Sequence, residues 1–170
     1  MRDEVLIVVY SYHHGNTEKI ARVFSEVLGA SITTPQDIVL EEMSTYRLVG
    51  FGSGIYDGKH HDLLLDLAER LPRVDATKAF IFSTCGVPAF AFGAEEIEKY
   101  IENNHSPLRE KLEQRGYTIV DEFCCTGFNT NSFLKLWGGI NKGRPNADDL
   151  GRAKAAAQNL KSLVFEPFLQ

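Results

Sequence analysis

The sequence predicts a doubly wound α/β sandwich, one parallel sheet with helices on both faces. Two observations carry that prediction. Strand-like and helix-like segments alternate along the whole chain, the pattern that builds parallel sheets from strand–helix–strand units. The strand candidates are also continuous apolar runs, as when both faces of a sheet are covered. The size agrees: 170 residues, 44% hydrophobic and 24% charged, suit one domain with a core of its own and no metal or disulfide staple.

Val5–Tyr10 reads as a fully buried strand, and Asn16–Leu28 as an amphipathic helix with Ile20, Val23, Phe24 and Val27 on one face. A short strand is expected near Ala30–Thr33, then a weakly marked segment through Met43. Arg47–Gly52 is the next buried strand, followed by a glycine-rich loop, Ser53–Lys59. Asp62–Leu71 has leucines at helical spacing. Ala79–Ser83 is a strand and Thr84–Phe92 its loop. Ala94–Glu102 reads as a helix, and Ser106-Pro107 restarts a second one, with Ser at the N-cap, Pro at the first turn and Gly116 at its close. Tyr117–Cys125 is the last strand and Ala147–Leu163 the last helix. Between them lies an excursion, Thr126–Asn146, of about twenty residues, long for a connection. It carries Phe128, Phe133, Trp137 and Lys142-Gly143-Arg144-Pro145, and leaves the edge where such sheets bind ligands. It is either an ordered segment packing its aromatics on the body or a lid or docking surface over a ligand.

The net charge of −5 argues against a nucleic-acid partner, because no basic excess is available to displace counterions. No apolar run reaches membrane-spanning length, so no membrane insertion is expected. Met1-Arg2-Asp3-Glu4 leads into a strand rather than a signal peptide. Three cysteines, Cys85, Cys124 and Cys125, are an odd number with two adjacent, which speaks for a reducing cytoplasm and against a disulfide framework.

The chemistry concentrates in three loops. The stretch from Val5 to Thr17, VLIVVYSYHHGNT, runs from an apolar strand through a polar loop into a helix whose first N–H groups can meet a phosphate. Gly15 permits close approach, and Ser11, Asn16 and Thr17 offer side-chain donors; a helix cap by Asn or Thr is the simpler use. No Lys-Ser/Thr pair follows the glycine, so this is not a Walker A loop. The G-x-G-x-x-G spacing is missing as well. Tyr10-Ser11-Tyr12 at the strand end lacks the acidic cluster of a phosphate-accepting receiver. The second and third loops each carry one aromatic, Tyr56 and Phe90, and two such rings can hold a planar ring between them. A phosphate site beside an aromatic slot describes a pocket for flavin mononucleotide (FMN).

These loops together resemble those of the flavodoxin family, over nearly the whole chain. Gly15-Asn16-Thr17-Glu18 matches the end of the family's phosphate loop, with His13 and His14 in place of its hydroxyl region and Ser11 one residue further back. Phe51-Gly52-Ser53-Gly54-Ile55-Tyr56-Asp57-Gly58 resembles the segment whose aromatic covers one flavin face. This places Tyr56 on the ring and implies that the peptide at Asp57-Gly58 can flip toward reduced flavin. Thr84-Cys85-Gly86 through Phe90 resembles the segment that binds the flavin edge and stacks on the other face. The resemblance implies a three-layer sandwich with five parallel strands in the order 2-1-3-4-5.

His13, His14, His60 and His61 form two adjacent pairs expected near the ligand edge. Adjacent histidines lack the i, i+4 spacing of a helical metal site, so a titratable charge near phosphate or flavin is the expectation. Cys85 is expected to contribute a small side chain and its amide. Three functions remain open: an FMN electron carrier serving a redox partner protein, an FMN oxidoreductase acting on a small quinone, nicotinamide or porphyrin-like substrate, and a binding module without FMN. The leading reading is the FMN electron carrier; the excursion and the mild acidity speak for the oxidoreductase, its alternative.

Overall fold

A computed structural model describes residues 4–130, 134, 136 and 138–166. Its parallel sheet comprises β1 (Val5–Tyr10), β2 (Ser31–Thr33), β3 (Leu48–Tyr56), β5 (Thr77–Cys85) and β6 (Tyr117–Thr126), and β4 (Lys59–His60) adds a short antiparallel strand to β3. The spatial order is β2-β1-β3-β5-β6. Among the parallel strands this is the expected 2-1-3-4-5, and the β4 hairpin is the addition. Helices α1 (Asn16–Leu28) and α4 (Ala147–Phe165) cover one face; α2 (Asp62–Arg70) and α3 (Ala94–Gln114) cover the other.

Period-two alternation explains the uninterrupted apolar strands. Val5, Ile7 and Val9 point into the α1/α4 core, while Leu6 and Val8 point into the α2/α3 core. In α1, Ile20 and Phe24 are fully buried and Val23 and Val27 partly so, matching the face expected from the sequence. Phe24 sits on Phe80 and Phe82 of β5, with ring centroids at 4.9 and 5.4 Å, and meets Phe123 edge-on at 5.9 Å. Phe80 and Phe82 lie across β3, opposite Gly50 and Gly52 in register. A Cβ at Gly50 would meet the Phe80 ring at 2.3 Å, and one at Gly52 the Phe82 ring at 2.2 Å. The glycines of β3 are therefore sockets for neighbouring rings.

Two segments differ in kind from the sequence reading, and β5 is longer at both ends than the expected Ala79–Ser83. The expected break before Ser106-Pro107 is absent, and α3 runs unbroken from Ala94 to Gln114 with Pro107 inside it. Proline cannot donate to the carbonyl four residues back; here that carbonyl, of Asn103, accepts the Ser106 hydroxyl at 3.2 Å. The Ser53–Lys59 loop is instead the end of β3, a two-residue turn and β4. Asp57 and Gly58 both have positive φ, 49° and 78°, as a type I′ hairpin requires, and Asp-Gly is a favoured sequence for it.

Gly52→Ala should lower stability by roughly 1–3 kcal/mol, because it overpacks a full core. Gly151→Ala, in α4 with no neighbour within 4 Å, should raise it by roughly 0.5–1 kcal/mol. Urea denaturation of both variants checks the opposite signs.

Candidate functional site

The loop after β1 enters α1 through two successive left-handed residues, His14 (φ 55°) and Gly15 (φ 63°). His14 is held there by Nε2 and Thr130 Oγ1 at 2.9 Å and by its ring against Phe128 at 4.5 Å. Among the described residues, no side-chain cap closes the start of α1 at Gly15. The candidates for that role turn elsewhere: Thr17 Oγ1 bonds Thr84 Oγ1 at 2.8 Å, and Asn16 Nδ2 donates to the Phe128 carbonyl at 2.9 Å. The start of α1 thus keeps open N–H groups and a partial positive charge. Asn16 Oδ1 is buried with no partner among the described residues.

Tyr56, at the end of β3, lies back over Gly54, where an added Cβ would meet its hydroxyl at 2.9 Å. The hairpin turn also bears on the peptide flip implied by the resemblance. Flipping the Asp57–Gly58 peptide would convert type I′ to II′, whose first central position takes glycine, so Asp57 opposes it. Ser53 faces away from the loops. Its hydroxyl donates to the Gly54 carbonyl at 2.8 Å, contacts His60 Nδ1 at 2.9 Å and accepts the His61 N–H at 3.0 Å.

β5 carries Thr84 and Cys85 to the same edge. At Gly86 a Cβ would meet Asn129 Nδ2 at 2.2 Å. The chain then makes a 3-10 turn at Ala89–Ala91, on which Phe90 is 95% exposed. Hydrogen bonds from the Cys124 thiol and the Val87 N–H hold the Cys85 thiol below its ordinary range, against the effect of burial.

These elements enclose a narrow cleft of about 50 Å³. Ser11, His13, Asn16 and Thr17 line it from the first loop, Gly54, Ile55 and Tyr56 from β3, and Thr84, Cys85 and Gly86 from β5. Gly127, Phe128 and Asn129, from the start of the excursion, complete the wall. Of the residues expected from sequence, Ser53, Asp57, Gly58 and Phe90 are not in the lining; His14 and Gly15 shape the first loop beside it. The sequence marks Phe128 only as part of the excursion; in the fold its carbonyl is the partner of Asn16. A second cleft of about 580 Å³ shares His13, Ile55 and Tyr56 and adds Tyr12, Asp57, Lys59, His60, His61 and Asp62.

The excursion is tied down at both ends. Asn129 and Ile140 exchange two backbone bonds, and Phe128 N–H donates to the Arg144 carbonyl at 3.1 Å. Arg144 Nε donates to Thr126 Oγ1 at 3.0 Å and Nη2 to buried Asp149 Oδ1 at 2.8 Å, with Nε and Asp149 Oδ2 2.7 Å apart in the same ion pair. Asp149 also completes the capping box of α4 with Asn146. Phe133 and Trp137 lie outside the described residues.

A family model, the flavodoxin domain, matches residues 7–126. The chain belongs to the flavodoxin family. A relative described as uncharacterized protein MJ0298, of Methanocaldococcus jannaschii, is 39% identical over 158 residues, which are 92% of this chain and 97% of that one. Oxidised flavodoxin 2 from Bacillus cereus shares the fold at a TM-score of 0.61 and 18% identity, over 90% of this chain and 94% of its own. A flavodoxin from the domain Archaea does so at 0.59 and 15%, over 94% and 98%.

In this flavodoxin-family chain each histidine pair is split by its backbone. His13 packs tilted against Tyr12, with ring centroids 4.1 Å apart, and lines the cleft, while His14 turns to Thr130. His61 caps α2 by accepting the Leu63 N–H and rests on Tyr10 at 4.3 Å. His60 is fully buried beside His105 of α3, with ring centroids 4.8 Å apart. His105 Nε2 meets Ser83 Oγ at 2.7 Å and Nδ1 meets Glu122 at 2.9 Å, and Arg109 closes the chain on Glu122 at 2.6 Å. This is the connectivity of a Ser-His-carboxylate triad, but Ser83 and His105 have no exposed surface, so no substrate reaches them. The network ties α3 to the sheet. Burial pushes the His60 imidazole well below its usual range, with His105 adding to the effect; burial also lowers His105, against the pull of Glu122.

A lowered folded pKa means that the unfolded chain binds more protons below the ordinary histidine value. Stability should therefore fall as pH drops below about 6.5, with each histidine contributing a slope approaching about 1.4 kcal/mol per pH unit. Urea midpoints between pH 7.5 and 5.5 should show a shallower slope for His105→Gln than for the parent chain; equal slopes would assign the effect to other groups.

Proposed function

We propose that this protein binds FMN and carries electrons between redox partners. The observation behind this reading is the uncapped start of α1, with the buried, unpartnered Asn16 Oδ1 beside it, opening on a cleft covered by Tyr56. Bound FMN would supply the redox chemistry at its ring; the chain's part is to bind, orient and shield it. The N–H groups of the first turn of α1 and the Ser11 hydroxyl suit a phosphate. Asn16 Oδ1 suits a hydroxyl donor of the ribityl chain. Tyr56 and the Gly86 backbone suit the ring. A cleft of about 50 Å³ is well below the ~300–1,000 Å³ of small-molecule sites, so Tyr56 moves off Gly54 on binding. Phe90, exposed on the third loop, is then available to the far face.

The oxidoreductase reading has one observation in its favour, the second cleft of about 580 Å³ that shares the Tyr56 wall. Its size and its phenol and imidazole lining suit a small planar substrate. Among the described residues no helix is long and apolar enough to cross a membrane. Three buried free thiols suit a cytoplasmic setting.

In a fluorescence titration the protein should bind FMN one to one and riboflavin at least about tenfold more weakly, because charge-assisted phosphate bonds are lost. Equal affinities would remove the phosphate assignment. Tyr56→Ala should cost roughly 1–3 kcal/mol of FMN affinity if the ring stacks as a base does on an aromatic. Rapid turnover of a quinone or nicotinamide without a protein partner would favour the oxidoreductase.

A further inference from the structure

We infer that Asn141, in the excursion after β6, is a positioning residue that sets which backbone groups of the third loop face the cofactor. This rests on the FMN reading above. Asn141 Oδ1 accepts the Ala89 N–H at 2.9 Å, and Nδ2 donates to the Val87 carbonyl at 2.7 Å and to the Gly127 carbonyl at 3.3 Å. A carbonyl and an N–H flanking one residue are the two groups that a neighbouring β-strand would pair. The Asn141 carboxamide takes the place of that strand. The residue between them is Pro88, which has no N–H of its own to offer.

The selection has a chemical consequence. With Val87 C=O and Ala89 N–H engaged by Asn141, Ala91 N–H engaged by Pro88 and Phe92 N–H by Ala89, the loop has few donors left. The Val87 N–H serves the Cys85 thiol, so within this loop the N–H groups of Gly86 and Phe90 are the ones with no acceptor among the described residues, and Gly86 lines the cleft. Asn141 therefore withdraws one donor and one acceptor from the ligand and leaves Gly86 and Phe90 to meet it.

The side chain is itself held firmly. Asn141 sits at φ 56°, a left-handed conformation that asparagine tolerates. Its carbonyl accepts the Arg144 N–H at 2.9 Å, and its neighbour Ile140 is bridged to Asn129. Arg144 is fixed on buried Asp149. The excursion thus acts as a buttress that reaches from the end of β6 to the third loop.

Asn141→Gly tests this, since it removes the carboxamide without straining a left-handed residue. Hydrogen exchange at the Ala89 amide should quicken about tenfold, the scale of one lost hydrogen bond. FMN and riboflavin affinities should fall by the same factor, about tenfold, because the loss is at the ring and not at the phosphate. The absorption bands and midpoint potential of bound FMN should shift. Asn141→Asp, which sets a carboxylate oxygen against the Val87 and Gly127 carbonyls in place of the Nδ2 donor, should quicken Ala89 exchange as well. Unchanged Ala89 exchange in Asn141→Gly overturns the clamp. Faster exchange with unmoved bands and potential overturns its bearing on the ring. A parent chain that binds no FMN overturns the function proposed above, and the exchange comparison then still decides whether Asn141 holds the loop.

Discussion

The contact between two glycines of β3 and two phenylalanines of β5 is the constraint on which the rest depends. Gly50 and Gly52 leave the middle of the central strand without side chains on the α1/α4 face, and Phe80 and Phe82 fill that space. Phe24 then rests on both rings, which fixes α1 on the sheet. The position of α1 decides where its N-terminus points. Packing several residues along the helix therefore sets the place of the open N–H groups at its start. A close-packed interior transmits such placement because it has no slack to absorb a shift.

The site is then assembled by side chains that bridge loops, more than by the loops' own conformations. Thr17 to Thr84 joins the start of α1 to β5, Asn16 to Phe128 joins it to the excursion, and Arg144 to Asp149 joins the excursion to α4. Most of these groups are buried or half-buried, so their bonds compete poorly with water and cost most when broken. On the other face, Ser53, His60, Ser83, His105 and Glu122 form a second polar network between the sheet and α3. One network supports the cleft from the α1/α4 side and the other from the α2/α3 side. Tyr56 lies in the wall of the cleft, beside Gly54 and Ile55.

Much was legible in the sequence because it depends on local pattern. Apolar runs located the strands, helical spacing located the buried face of α1, and Gly15-Asn16-Thr17 marked the entry to that helix. Other features were misread where one local signal competed with another. Ser53–Lys59 looks like a loop, since Gly54 and Gly58 disfavour a strand; in the fold β3 runs on to Tyr56, and Gly54 must lack a side chain where Tyr56 lies over it. Ser106-Pro107 looks like a helix start, and the Ser106 hydroxyl instead takes the carbonyl that Pro107 leaves free.

The sequence by itself determined the alternating order of strands and helices, their apolar faces and three candidate loops, because these follow from periodicity and backbone preference over a few residues. Only the tertiary structure decided the partners: that His60 is buried beside His105 while its neighbour His61 caps α2, that Phe128 meets Asn16, and that Asn141 grips Val87 and Ala89 across more than fifty residues. A side-chain hydrogen bond across such a span has no local signature. It exists only once the sheet has brought the ends of β5 and β6 side by side.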